Sequence, residues 1–103
     1  MKEVRITVIK KTLMEDIVAE YASDPAYSSC EYLEEGQVFT YNDHTKPEGF
    51  CDEAWRVIYP YALALHTGGG NFYDGGWLKK GKMAICSCSD GLRPVYFKLE
   101  VED

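Results

Sequence analysis

At 103 residues the chain has the length of one ordinary domain, which excludes a multidomain assembly. Its 46% hydrophobic and 14% aromatic content suffices for one core and excludes a mostly disordered protein. Eleven Lys and Arg against seventeen Asp and Glu leave a net charge of −6, which speaks against nucleic acid and against an anionic membrane surface as partners.

Val4, Ile6 and Val8 alternate with Arg5 and Thr7, so a first strand is predicted over residues 3–10. Thr12 then precedes Leu13, Met14, Ile17, Val18 and Tyr21 at helical spacing, with Glu15 and Asp16 where the helix dipole favours acids; this predicts a helix over 13–22. Ser23-Asp24-Pro25 and Ser28-Ser29 end it, and Gly36 opens a short strand, Gln37-Val38-Phe39-Thr40-Tyr41, closed by Asn42-Asp43. Beyond Pro47 and Gly49, the residues Phe50, Ala54, Val57, Ile58, Tyr61, Ala62 and Leu65 share one face of a long helix that Trp55 widens and Gly68-Gly69-Gly70 ends. Pro60 is expected to break or kink it, because proline removes a ladder hydrogen bond and clashes with the preceding turn. Six of the nine glycines fall in 68–81, which reads as a long irregular loop. Two strands, 82–88 and 95–101, then form a hairpin around Ser89-Asp90-Gly91. The order β-α-β-α-β-β predicts a single α+β domain over 1–103, with a mostly antiparallel sheet and two helices on one face.

Charge is unevenly spread. Residues 12–53 hold eleven acids and one base, Lys46, whereas 1–11 sum to +3 and 54–103 to +1. A solvated acidic face follows. The first residues lack the apolar core and small-residue cleavage site of a signal peptide, and no run reaches the length that spans a bilayer, so the expected location is the cytoplasm. There, four cysteines read as free thiols or ligands rather than as a disulfide framework.

The chemistry-bearing residues cluster in three places. Cys51 stands at the start of the long helix, where unpaired N–H groups favour a thiolate while Asp52 and Glu53 oppose it. Cys86 and Cys88 are two apart on a predicted strand and so leave the same face. With Cys30 they make up the candidate set for a metal (Cys30, Cys51, Cys86, Cys88), whether zinc or an iron–sulfur centre, without the paired knuckle spacing of such sites. Asp90-Gly91-Leu92-Arg93-Pro94 places a carboxylate and a guanidinium beside Cys88; Arg93 either clamps an anion or holds Asp90 in place, or else it pairs with an acid of the 12–53 region while Asp90 caps the turn, and both readings assign the turn to Gly91. Asn71, Phe72, Tyr73 and Trp77 suit a lid over a pocket or a plain surface loop; the glycines among them lack the sequence of a phosphate cradle. His66 reads as a helix-end cation and His44 as an exposed loop residue.

Gly36-Gln37-Val38-Phe39, Pro47-Glu48-Gly49-Phe50-Cys51-Asp52 with Ala54-Trp55, and Cys88-Ser89-Asp90-Gly91-Leu92-Arg93-Pro94-Val95 together resemble the motifs of a family of small uncharacterised prokaryotic proteins of about this length, frequent in anaerobes. The resemblance implies that Cys30, Cys51, Cys88, Asp90 and Arg93 are signature positions and that Cys86 is not. It brings no activity and no cofactor with it.

Three functions stay open. The first is a ligand-binding or accessory protein whose pocket is lined by Cys51, Trp55, Cys88, Asp90 and Arg93, takes a small anionic ligand, and lies between the long helix's start, the 68–81 loop and the 90–93 turn, with Phe72 or Trp77 as wall. The second is a thiol enzyme in which Cys51 attacks and Cys88 resolves. The third is a metal-binding module on Cys30, Cys51 and Cys88. The aromatic content also admits a homo-oligomer.

Overall fold

Side chains alternate across a strand, so a strand with one apolar set fixes which face is covered. In the computed structural model, which describes residues 1–101, β1 (Val4–Lys11) turns Val4, Ile6 and Val8 inward, and β4 (Val95–Val101) does the same with Val95, Phe97, Leu99 and Val101. These two strands pair antiparallel at the centre of the sheet. The edges are β2 (Val38–Tyr41), which buries Phe39 and Tyr41, and β3 (Met83–Ser87), which buries Ala84 and Cys86, giving the order β2-β1-β4-β3 with every pair antiparallel. Ile6 faces Phe39 on one side and Leu99 on the other, while Cys86 faces Phe97.

A register shift between Val8 and Lys10 leaves Ile9 unpaired against β4 and 42% exposed. This bulge ends the clean alternation of β1. Val8 then bonds through both its N–H and its carbonyl to Gln37 and Gly36, which brings the start of β2 alongside.

Between the two edge strands the chain crosses the covered face as α2 (Asp52–His66), burying Ala54, Ile58, Ala62 and Leu65 against the sheet. The helix runs unbroken through Pro60, contrary to the expected break. A mid-helix proline costs about 3 kcal/mol. The apolar stripe continues on both sides of Pro60, and each large buried aliphatic contributes about 1.5–3 kcal/mol. Packing therefore holds the helix together across the missing hydrogen bond. Val57, expected on the inner face, lies at its margin.

The other helix, α1 (Glu15–Tyr21), is shorter than 13–22 and buries only Val18; Ile17 and Tyr21 point outward. Its N-terminal end is fastened to the last hairpin, since the Met14 N–H donates to the Leu92 carbonyl and the Thr12 hydroxyl to the Pro94 carbonyl. The result is the expected α+β domain, two helices packed against an open antiparallel sheet. All eleven acids between 12 and 53 are exposed, as a solvated acidic face requires. Among the described residues no helix is long and apolar enough to cross a membrane.

Ile58, fully buried midway along α2, reports on this packing. Ile58→Ala is expected to lower unfolding free energy by about 2–5 kcal/mol in urea titrations, with little change in the slope.

Candidate functional site

The hairpin turn 88–94 is held by one carboxylate. Asp90 accepts the Leu92 N–H on Oδ1 at 2.9 Å and the Arg93 Nε–H on Oδ2 at 3.2 Å, so the group that shapes the turn also aims the guanidinium. Burial works against the Asp90 carboxylate, but these N–H donors and the Arg93 charge outweigh it and hold the carboxyl below its usual range. For Arg93 the same burial is outweighed by Asp90, and its cation is held more firmly. The guanidinium carbon stands 4.5 Å from the centre of the Tyr27 ring, a cation–π contact. Arg93 thus pairs through Nε with its own turn rather than with an acid of the 12–53 region. Gly91 is not what the turn demands, because its φ lies outside the left-handed region and an added Cβ would meet nothing within 4 Å.

Cys88 is one residue past the end of β3. Its backbone N–H donates to the Val95 carbonyl at 2.9 Å, and its sulfur accepts the Val95 N–H at 3.3 Å. Cys51 is the residue just before α2; its carbonyl accepts the Trp55 N–H while its side chain makes no capping bond. The neighbouring Asp52, read from sequence as opposing charge, is bridged by the Lys46 ammonium, which also donates to the Phe50 carbonyl at 2.9 Å. Lys46, first by hydrogen bond and then by charge, holds the Asp52 carboxyl below its usual range.

These segments enclose a cavity of about 210 Å³ lined by Cys30, Cys51, Cys88, Asp90 and Arg93, with Tyr32, Glu53, Ala54 and Ser89 completing the wall. A more open depression of about 410 Å³ adjoins it and shares Tyr32, Cys51 and Glu53. The turn, the start of α2 and the irregular 22–37 connection therefore meet.

Other candidates lie elsewhere. Trp55 is not part of the cavity wall: its ring packs on Tyr41, Phe50 and Tyr59 at centroid distances of 5.2, 5.8 and 5.4 Å. Nor does the 68–81 loop cover the cavity. Phe72 and Trp77 close on Tyr61 at 5.3 and 6.2 Å, which anchors the loop to a residue about 15 Å along the helix axis from Cys51. A 3-10 turn at Phe72–Gly75 is its only regular element, with Tyr73 and Asp74 in the left-handed region. Cys86 lies in the core, where burial pushes its thiol up to about 11. Among the described residues no group of three or more His, Cys, Asp or Glu is placed to hold a metal ion, so the four cysteines do not come together as a coordination set, and all four are free thiols.

His66 is buried at the end of α2. Its Nδ1–H donates to the Lys2 carbonyl at 2.5 Å and its own carbonyl accepts the Lys2 N–H, which stitches the N-terminus to the helix. His44 is exposed, as read, and its ring meets that of His66 in a T-shaped contact with centroids 4.7 Å apart. The sequence reading missed Tyr27, Tyr32 and Glu53. The two tyrosines lie in a connection without periodicity, and Glu53 has the appearance of an ordinary first-turn acid.

Compared with protein-family models, with curated proteins and with solved structures, the chain has no match.

Two measurements check this geometry. With a thiol near 11, only on the order of one Cys86 in a thousand is thiolate near pH 8, so brief iodoacetamide treatment of the native protein is expected to label Cys30, Cys51 and Cys88 and to spare Cys86 in peptide maps. The lowered Asp90 carboxyl adds stability that is present above the unfolded-state carboxylate pKa and lost as pH falls through the folded-state value. Asp90→Asn is expected to flatten the fall of the urea midpoint between about pH 5 and about pH 2, with the largest difference from the parent protein on the neutral side.

Proposed function

We propose that this chain is a cytoplasmic binding protein for a small anionic molecule, received in the cavity among Cys30, Cys51 and Cys88 with its negative group on Arg93. The observation that carries the reading is the mounting of Arg93. Asp90 holds Nε and the Tyr27 ring flanks the guanidinium, while the terminal nitrogens make no hydrogen bond among the described residues. A planar fork so placed suits bidentate contact with a carboxylate, and its orientation is set before the ligand arrives. Thiols behave as small polarisable hydrophobes, so the rest of the wall suits an alkyl or sulfur-containing body. The resemblance to the family of small prokaryotic proteins belongs with this reading, because its five signature positions, Cys30, Cys51, Cys88, Asp90 and Arg93, all line the cavity.

S-methylthioglycolate, which carries a carboxylate and an unreactive thioether, is a suitable probe. Titrated into labelled protein, it is expected to shift the amide signals of residues 30, 51 and 88–93 in heteronuclear spectra. Arg93→Ala is expected to weaken binding by about 10–100-fold, the equivalent of a charged hydrogen-bonded contact of about 1.5–3 kcal/mol. Unmoved signals around the cavity at millimolar probe, or equal affinity in Arg93→Ala, would count against the reading.

A further inference from the structure

The three cavity thiols are not equivalent. Cys30 and Cys51 line the wall with no hydrogen bond to sulfur among the described residues, whereas Cys88 has a backbone N–H directed at its sulfur at 3.3 Å. A sulfur lone pair engaged by a fixed donor sets how the remaining face of the Cys88 sulfur is presented to the cavity. Val95 is the first residue of β4 and its carbonyl is already bonded to the Cys88 N–H; the donor is therefore held by the sheet rather than by a mobile loop. Arg93, five residues after Cys88, lines the same cavity. A nucleophile, an anion receptor and room for a few heavy atoms are thus brought together within one turn.

We infer that Cys88 is a site of thiol–disulfide exchange with small disulfides whose arms each carry one carboxylate. The inference rests on the anion-binding reading above and names the class of ligand. Cys88 loses its proton to solvent, and its thiolate attacks one sulfur of the small disulfide. A bond forms between the Cys88 sulfur and that atom as the original S–S bond breaks. The departing arm leaves with the electron pair as a thiolate and takes a proton from water. Cys88 is oxidised to a mixed disulfide, half of the small disulfide is reduced to a thiol, and no other oxidant is needed. The retained arm's carboxylate rests on Arg93. Glu53 also lines the cavity, so an arm with two negative charges meets repulsion.

The test exposes the reduced full-length protein to dithiodiglycolate, which has one carboxylate per arm, and in parallel to cationic cystamine and neutral hydroxyethyl disulfide. A free small thiol normalises the intrinsic reactivity of each. Intact mass and early peptide maps are expected to place the first adduct on Cys88, with a normalised preference for dithiodiglycolate over cystamine of about tenfold or more. Arg93→Gln is expected to abolish that preference, read as the ratio of the dithiodiglycolate rate to the cystamine rate; Arg93→Lys, which keeps the charge, is expected to retain part of it. A first adduct on Cys30 or Cys51, or a charge preference no greater than that of the free thiol, would overturn the inference. If S-methylthioglycolate binds in the cavity while Cys88 fails to exchange, the inference alone falls. If the probe does not bind either, the anion-binding reading falls with it.

Discussion

The structure depends on one interaction: the apolar stripe of α2, from Ala54 through Ile58 and Ala62 to Leu65, laid across the inward side chains of β3, β4 and β1. Strands β1 and β4 are central because the first and last strands of the chain pair with each other, and the outer strands β2 and β3 then lie at opposite edges. The segment joining β2 to β3 must travel the width of the sheet, and a helix does so while satisfying its own backbone groups. This one crossing brings Cys51 to the cavity, sets Tyr61 under the 68–81 loop, and delivers His66 to the backbone of Lys2.

At the cavity end the arrangement follows from the economy of the last hairpin. Its seven-residue connection carries few apolar side chains and is shaped by polar contacts. Asp90 closes the turn with one oxygen and directs Arg93 with the other, while Thr12 and Met14, just before α1, donate to the Pro94 and Leu92 carbonyls of the same segment. The Asp90 and Tyr27 contacts restrict the rotamer freedom of the Arg93 guanidinium in the folded chain. The strand-end residue Val95 performs a similar service for the Cys88 sulfur.

Burial separates the cysteines into different chemical kinds. Cys86 faces Phe97 beneath α2 and acts as core; Cys88, two residues further, has left the strand and lines the cavity. Two thiols so near in sequence thereby differ in access to any reagent. The acids of the 12–53 stretch are all exposed, with Asp52 countered locally by Lys46 and Glu53 also lining the cavity.

Periodicity alone determined the element types, the two inner faces and the α+β class, because alternation at two residues and repetition near 3.6 are local properties of a chain that must hide one side. Val4, Ile6 and Val8, the set Val95, Phe97, Leu99 and Val101, and the α2 stripe were all legible in this way. Cys51, Cys88, Asp90 and Arg93 were also legible as residues able to do chemistry, and the hairpin kept the last three close in sequence. Only the tertiary structure decided which of them meet. Cys30, Tyr27 and Tyr32 belong to a connection with no period, so nothing local aims them at the 88–94 turn. Trp55 and the 68–81 aromatics went to neighbouring rings because burying their large apolar faces is worth more than lining an open cavity. Pro60 stayed helical, and α1 began late, for a related reason: a local preference of a few kcal/mol yields wherever packing or a backbone partner on a distant segment contributes more.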